Sequence, residues 1–452
     1  MVQILPNYFF AGVDALAQRK GIPHLSLWGG HFAGFQIRFA ACPSERAGQS
    51  GMTFRARTSF AIFYLTLILS PCTSAQEPTY PGVTSTEIRI GNITCVTGWA
   101  KAYASVSRAE AAYFQMVNER GGINGRKINF ISLDDGCESA RSLALAQQLI
   151  EQENVLLLFS TLGTETNLTI RSYLNEKHVP QLFVESSSAV FDDPSHFPWT
   201  MGFFASYAVE GSAYANYILR SKPAAKIGVL SANDDAGREY VAGLRAGLGN
   251  KASSMIVKET TYNATDGSLD TQLQALKDSG ADVFANFSVG PFATQSIRRA
   301  FDLDWHPLQF IPNASLSIFA FLEPAGLNKS AGIISNARSK GWLRGQGQQD
   351  PNVAEFLEWM RKYNPQGNLR DQNNVAGYER AQTLVEILNK CGSDLSRSNV
   401  MEKAASLDLE LGMLRPGIRI KTSPSDYQPI KQLFLIRFDG TDWAPIGPIS
   451  SQ

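Results

Sequence analysis

The sequence predicts an α/β protein of two lobes, each built around a parallel β-sheet. Three observations support this prediction. Strand patterns and helix patterns alternate along the chain, which is typical of parallel sheets. Two such series follow one another within 452 residues, a length that exceeds one ordinary hydrophobic core. Several strand patterns also end in loops of Ser, Thr, Asn and Asp, at the sheet edge where α/β proteins bind ligands.

The first series opens with a strand pattern at Glu87–Thr94 and a helix pattern at Ser105–Glu119. Two glycines follow that helix, as is common after helix ends. A second strand is predicted at Lys127–Leu133. Apolar residues at helical spacing then predict an amphipathic helix at Ser139–Glu153. The alternation of strand and helix patterns over residues 87–153 favours parallel strands connected by helices.

Two hydroxyl-rich loops follow in the same series. The apolar run Val155–Phe159 stops at the loop Ser160–Thr164, and a helical pattern comes next. A second apolar run, Leu182–Val184, ends in the loop Glu185–Ser188. Loops that open helices offer hydroxyls and free backbone N–H groups, so this unit predicts a site for a small polar or anionic ligand.

A second series of the same kind begins near residue 206. Its predicted strands are Ala225–Leu230, Ser253–Thr261, Val283–Phe287 and Leu308–Ile311, and its predicted helices are Ser206–Ser221, Glu239–Leu248, Leu269–Ser279 and Phe292–Leu303. Two further helices are expected near Val353–Tyr363 and Gly377–Lys390, and a C-terminal hairpin at Gln432–Phe438 and Trp443–Ile446. Two stacked series predict two similar lobes that face each other across a cleft.

The segment Met52–Ala75 has the order of a secretory signal peptide: a basic start, an apolar run too short to span a bilayer, and small residues before Gln76. A buried core helix is the alternative. We expect export to the periplasm, with residues 52–75 removed. An export signal stands at the chain start, so we interpret residues 1–51 as an extension upstream of the true start at Met52.

The composition argues against nucleic acid as a partner and does not decide whether the cysteines form a disulfide. With 41 basic and 41 acidic residues, the chain gives no reason to expect nucleic acid as a partner. Removal of residues 1–75 would leave Cys95, Cys137 and Cys391. Cys95 and Cys137 each follow a predicted strand and are the better pair for a disulfide, although three reduced cysteines are an equal alternative.

The sequence offers little for catalysis. Beyond residue 75 the histidines are His178, His196 and His306, none at a predicted strand end that would face the cleft. Nucleophile-elbow, phosphate-loop and His/Cys metal spacings are missing from the sequence. Asp134-Asp135 and Asp234-Asp235 could be acid/base pairs, but Asp after a strand is more typical of turns. We therefore expect a protein that is not an enzyme and that needs no metal or cofactor.

Several motifs together resemble the periplasmic leucine/isoleucine/valine-binding family, the solute-binding proteins of branched-chain amino acid type ABC transporters. The resemblance covers roughly residues 81–448. Its motifs are Glu87–Gly98 (EIRIGNITCVTG), Gly121–Gly125 (GGING), Leu133–Gly136, the segment 156–184 with its hydroxyl loop, and Asn233–Gly237. It implies the type I periplasmic binding protein fold, with two Rossmann-like lobes of parallel sheets joined by three hinge crossings.

The resemblance also implies how the chain is divided and used. Residues 81–202 and 334–412 would form lobe 1, and residues 203–333 and 413–448 would form lobe 2. Ligand would enter the cleft, the lobes would close by hinge bending, and the closed monomer would dock on ABC permease subunits. A ligand-sensing periplasmic receptor that acts through a separate signalling partner is the alternative.

Family ligand positions map onto two groups of residues in this sequence. The aromatic after the first strand corresponds to Tyr103, with Trp99 close by, and Tyr207 and Phe287 would line the ligand's body. The carboxylate anchors correspond to hydroxyl residues of the two loops, namely Ser160, Thr161, Ser186, Ser187 and Ser188. Hydroxyls and backbone N–H groups suit a carboxylate because charge-assisted hydrogen bonds to an anion are strong.

Departures from the family pattern bear on the other end of the ligand. Ala236 stands where a Tyr is usual, and Asn313 lies where amino-acid binders place a Glu for the α-ammonium. A buried ammonium without a carboxylate partner is costly. Either Glu185 or Asp235 takes that role, or the ligand has no ammonium; we favour the second interpretation.

Overall fold

The computed structural model describes residues 80–343 and 349–451. The predicted extension at residues 1–51 and the predicted signal peptide at residues 52–75 lie outside the described residues. Within the described part, no helix is both long enough and apolar enough to cross a membrane.

Strands and helices alternate through most of the described chain. The strands are β1 (Glu87–Thr94), β2 (Lys127–Asp134), β3 (Leu157–Phe159), β4 (Gln181–Leu182), β5 (Thr200–Met201), β6 (Ile227–Ala232), β7 (Ile256–Tyr262), β8 (Val283–Phe287), β9 (Leu308–Phe310), β10 (Ile334–Ala337), β11 (Asp408–Leu409), β12 (Ile420–Lys421), β13 (Gln432–Phe438) and β14 (Trp443–Ser451). The helices are α1 (Ala104–Glu119), α2 (Ser139–Gln147), α3 (Thr164–Glu176), α4 (Tyr207–Ser221), α5 (Asp235–Leu248), α6 (Ala252–Met255), α7 (Asp270–Asp278), α8 (Pro291–Asp302), α9 (Glu323–Ala325), α10 (Leu327–Ser330), α11 (Pro351–Tyr363), α12 (Asn373–Cys391) and α13 (Arg397–Ala404).

The first sheet has the strand order β2-β1-β3-β4-β5, and every neighbouring pair is parallel. β1 pairs with β2 along its whole length, from Glu87 opposite Lys127 to Thr94 opposite Asp134. Parallel neighbours need a crossover connection, and α1, α2 and α3 supply it. The carboxyl ends of these strands therefore lie at one edge of the sheet.

The second sheet has the order β14-β13-β10-β9-β8-β6-β7. Strands β6 to β10 are parallel, and the C-terminal hairpin of β13 and β14 adds two antiparallel strands beside β10. Because β10 hydrogen-bonds with β9 and β13, residues 334–337 lie in the second sheet, whereas the boundary drawn from the sequence grouped them with the first lobe.

The chain passes three times between the two sheets, after β5, after β10 and after β12. Helices α11, α12 and α13 pack into the same hydrophobic core as β1 and α1, with Phe356, Leu384 and Val400 fully or almost fully buried. The parallel sheets and the three crossings confirm the predicted α/β class and type I periplasmic binding protein fold.

Candidate ligand-binding site

A cavity of about 1110 Å³ lies where the strand ends of the two sheets meet. Its wall includes Leu162 and Ser186 after strands of the first sheet, and Asn233, Phe287 and Asn313 from strand ends of the second. This volume is slightly above the usual range for ligand pockets, roughly 300–1,000 Å³, so the cavity can enclose a small organic molecule.

Three hydroxyl groups converge on one wall of the cavity. Thr164 Oγ1 lies 2.8 Å from Ser186 Oγ, which is 3.4 Å from the hydroxyl of Tyr207. Thr164 is the first residue of α3, and its N-cap Gly163 has φ +99° and no side chain to cap the helix. The first-turn N–H groups of α3 therefore have no side-chain cap, and the cluster can donate several hydrogen bonds to an anion.

Ser160 and Thr161 lie beneath this wall and do not line the cavity. The first sheet continues past β3: Ser160 N donates to Leu182 O at 2.9 Å, and Glu185 N donates to Thr161 O at 2.9 Å. Thr161 Oγ1 donates to the buried Asn167. The loop thus opens three residues later than the composition suggested, and Thr164 lines the cavity whereas Ser160 and Thr161 do not.

The second hydroxyl loop divides its side chains between two surfaces. Ser186 and Ser187 line the cavity, and Ser187 O accepts a hydrogen bond from Tyr207 N at 2.9 Å. Ser188 is turned away from the cavity wall and donates to Glu239 of α5 at 2.8 Å. Because α5 flanks the second sheet, Ser188 joins the two halves of the molecule.

Trp99 and Tyr103 line the cavity from the loop and short turn after β1. The Tyr103 hydroxyl accepts a hydrogen bond from Gly290 N, at 3.2 Å, in the loop after β8. A Cβ at Gly290, which has φ +59°, would lie 3.2 Å from the Trp99 ring. A disulfide between Cys95 and Cys137 fastens the same loop, which confirms that pairing, and Cys391 is free and buried.

Aromatic rings line the second-sheet side of the cavity, and Tyr207, whose hydroxyl belongs to the cluster, is one of them. The rings of Tyr240 and Phe287 stack at 4.8 Å with planes 10° apart, and Tyr207 packs on Tyr240 at 4.6 Å. Ala236, at the start of α5, lines the same wall. The sequence indicated Tyr207, Phe287 and Ala236 but missed Tyr240, although an aromatic one turn into the helix after a strand-end loop was a usable signal.

Glu185 lines the cavity, and a buried arginine compensates its charge. Its carboxylate forms an ion pair with Arg380 of α12, whose side chain is 0% exposed. On its other side, Arg380 lies 3.4 Å from Glu110, also completely buried. Burial raises the pKa of Glu110 to about 8, against the opposing effect of Arg380. A neutral Glu110 leaves Arg380 to balance the charge of Glu185.

Of the remaining two predicted site residues, Asn313 lines the cavity and Asp235 does not. Asp235 lies outside the cavity lining and pairs with Arg238 one turn along the surface of α5. Asn313 lines the cavity; its backbone N–H donates to Glu210 at 2.6 Å, and its Nδ2 donates to Asn336 O at 2.8 Å. Burial raises the pKa of Glu210 to about 7. The residues described contain no cluster of three or more His, Cys, Asp or Glu side chains able to hold a metal ion.

Two sheets whose parallel strands end at one cavity, which is lined by a hydroxyl cluster and by aromatic rings, define a two-lobed ligand-binding protein. The sequence model of the periplasmic binding protein family matches residues 87–442. The chain therefore belongs to the periplasmic binding protein family, whose members are binding proteins rather than enzymes and whose location is extracytoplasmic.

Individual relatives agree with this assignment. An amino acid binding protein of Pseudomonas aeruginosa is 25% identical over 200 residues, which are 40% of this chain and 48% of that protein, so the match spans about half of the relative's length. A branched-chain amino acid ABC transporter protein of Thermus thermophilus with bound valine has a TM-score of 0.72 at 18% identity, over 82% of this chain and 98% of that chain. A solute-binding protein of R. palustris in complex with benzoate has a TM-score of 0.69 at 17% identity, over 81% and 98%. The resemblance to the leucine/isoleucine/valine-binding family is thereby confirmed.

Proposed function

We propose that this protein is an extracytoplasmic solute-binding protein that captures a small carboxylate without an ammonium group and delivers it to an ABC importer. The segment 52–75 would direct its export to the periplasm. The protein would act as a monomer, with residues 81–202 and 338–412 forming one lobe and residues 203–337 and 413–448 the other.

The hydroxyl cluster at the start of α3 carries the proposal. The Ser186 hydroxyl lies within hydrogen-bonding distance of the hydroxyls of Thr164 and Tyr207, beside first-turn N–H groups that lack a side-chain cap. The helix dipole adds partial positive charge at that end. A carboxylate there would accept several charge-assisted hydrogen bonds and would need no buried cation.

The two carboxylates that the sequence offered as ammonium partners, Glu185 and Asp235, favour a ligand without an ammonium group. The charge of Glu185 is balanced by Arg380, and Asp235 lies outside the lining. Asp234, which does line the cavity, accepts the cap hydrogen bond from Gly237 N at 2.8 Å. An ammonium group would find neither of the two candidates that the sequence offered, Glu185 and Asp235, available as a partner in the cavity. Burying an ammonium without a partner costs roughly several kcal/mol. The valine and benzoate complexes of the two structural relatives illustrate the two alternatives.

Contacts across the cavity support capture by closure of the lobes. Tyr103 and Ser188, from the first half of the chain, hydrogen-bond to Gly290 and Glu239 of the second half. These bonds join the first half of the chain to the second. Opening at the three crossings would separate both pairs and admit ligand, as in hinge-bending binding proteins.

A thermal-shift screen tests the ligand class. The chain from Gln76 onward is heated with aliphatic and aromatic carboxylates, their amides, and amino acids, because a ligand that binds only the native state raises the melting temperature. We expect one or more ammonium-free carboxylates to raise it, with leucine, isoleucine and valine inactive. The reverse pattern would show that the ligand is an amino acid.

Delivery to an importer needs a test in cells. We expect a strain that lacks this protein to lose uptake of the radiolabelled ligand found in the screen, and export of the protein from a plasmid to restore it. Unchanged uptake, together with loss of a transcriptional response to the ligand, would replace the transport proposal by ligand sensing.

A further inference from the structure

The second-sheet wall of the cavity carries polar side chains, among them Asn233, Asp234, Asn263 and Asn313, beside aromatic rings whose own polar atoms are absent or turned away from the cavity. Phe287 has none, and the hydroxyl of Tyr240 is turned inward, where it donates to Glu210 at 3.1 Å. Tyr240 therefore presents its ring, not its hydroxyl, to the cavity. Asn313 is one of the polar side chains that line this wall together with the two rings.

The hydrogen bonds of Asn313 fix which of its amide atoms is available. Its Nδ2 donates to the backbone carbonyl of Asn336 at 2.8 Å. A carbonyl can only accept, so nitrogen must occupy that position and the amide cannot be flipped. The oxygen Oδ1 is then the atom left for a ligand, and an amide oxygen can only accept a hydrogen bond.

Glu210 holds this arrangement in place. Its carboxyl is 3% exposed and accepts hydrogen bonds from Asn313 N at 2.6 Å and from Tyr214 OH at 2.8 Å, besides the bond from Tyr240. Asn336 Nδ2 in turn donates to Tyr214 OH at 2.8 Å. One buried carboxyl therefore fixes both the backbone of Asn313 and the ring of Tyr240, although it does not itself line the cavity.

We propose that Asn313 Oδ1 selects a ligand that carries a neutral hydrogen-bond donor, a hydroxyl or an amide N–H, at the end away from its carboxylate, and that Glu210 is the positioning residue for this contact. The inference rests on the proposed function, because it assumes that the carboxylate occupies the hydroxyl cluster. An apolar or aromatic ligand body would then lie against the rings of Tyr240 and Phe287.

The test compares pairs of probes with the same carboxylate and body, in which one member carries the donor and the other a methoxy group in its place. Calorimetry measures para-hydroxybenzoate against para-methoxybenzoate, and succinamate against monomethyl succinate. In at least one pair we expect the donor probe to bind about tenfold more tightly, the ratio that roughly 1.4 kcal/mol of hydrogen bonding produces. Equal binding within both pairs overturns the inference and leaves the proposed function intact. If none of the four probes binds and no carboxylate of the thermal-shift screen does, the proposed function fails as well.

Two variants separate selection from stability. Asn313→Leu, of similar size, should remove the preference for the donor probe while the methoxy or ester probe binds as before. Glu210→Gln should also reduce the preference, whereas a merely structural residue would weaken both probes equally. Glu259→Gln, a surface change on β7, is the control and should keep the preference. If Glu210→Gln does not fold, Asn313→Leu decides alone, and a preference retained in that variant contradicts the inference.

Discussion

The guanidinium of Arg380, which is completely buried, forms an ion pair with Glu185 on the cavity wall. The two residues lie 195 positions apart in the sequence, on α12 and after β4. The same guanidinium lies 5.1 Å from the ring centre of Phe204, on the first crossing between the sheets, and Arg338 approaches the same ring at 4.4 Å. Charge balance beneath the cavity thus depends on residues that meet only in the folded protein.

Arg380→Met should lower the free energy of unfolding by about 3–5 kcal/mol, because it leaves the carboxylate of Glu185 without its partner. Urea unfolding at neutral pH measures the change. Arg419→Met is the matched control: Arg419 pairs with Asp408 at an exposed site, where loss of a pair costs about 1 kcal/mol or less. Equal effects of the two changes would show that the buried ion pair has no special weight.

Thr164→Val should weaken binding of the carboxylate by about tenfold or more, since one hydrogen bond to a charged group contributes roughly 1.5–3 kcal/mol. Ser186→Ala should act in the same way. Thr161→Val is the control, because Thr161 lies beneath the wall and bonds to Asn167. It should lower stability and leave affinity unchanged. Calorimetry with the ligand from the thermal-shift screen checks all three, and a larger affinity loss for Thr161→Val than for Thr164→Val would contradict the site.

Replacing both Cys95 and Cys137 by Ser should lower the free energy of unfolding by about 4 kcal/mol, the chain-entropy value for a loop of 42 residues. The loop that carries Trp99 would also lose its tether, so ligand affinity should fall. Denaturant unfolding with and without reductant gives the same comparison on the unaltered chain. Cys391→Ala is the control, and reductant should not change the stability of the double variant.

Glu110 makes stability depend on pH. Its folded pKa of about 8 lies above the ordinary value of 4.5, because burial disfavours the charged form. The folded state therefore holds a proton that the unfolded state has lost, and this contribution to stability is complete below pH 4.5 and decreases as pH rises towards 8. Glu110→Gln should remove a slope of at most about 1.4 kcal/mol per pH unit. Unfolding free energies measured from pH 5 to 8 check this, and parallel curves for the two proteins would contradict it.

Much of the fold follows from local patterns. The strands at Glu87–Thr94 and Val283–Phe287 have the bounds that their apolar patterns predicted. The composition of the loop after β3 indicated a hydroxyl site. Ser160 and Thr161 instead make strand-like backbone bonds, and the hydroxyl residue of this loop that lines the cavity is Thr164. Those bonds are made with residues of and after the neighbouring strand β4, and the sequence of the loop alone does not show which strand will lie beside it.

The charge state of the site could not be predicted from the sequence. Glu185 was a candidate partner for an ammonium because it ends a strand at the cleft. Arg380, which balances the charge of Glu185, lies within the sequence of a helix, where an arginine is expected to be exposed on the surface. Glu210 likewise lies within the helix α4, where its sequence position gives no sign that the carboxyl is buried. Long-range pairing of buried charges leaves no local signal of the kind that apolar periodicity gives to strands and helices.

Calorimetric titration of the chain from Gln76 onward, with benzoate and with valine at the same pH, tests the central claim most directly. Both carry a carboxylate, and only valine carries an ammonium. We expect measurable binding of benzoate or another ammonium-free carboxylate, because the site has a hydroxyl cluster, aromatic rings and a Glu185 whose charge Arg380 balances. Valine should bind at least about tenfold more weakly. Tighter binding of valine, lost on replacement of Glu185 by Gln, would contradict the account.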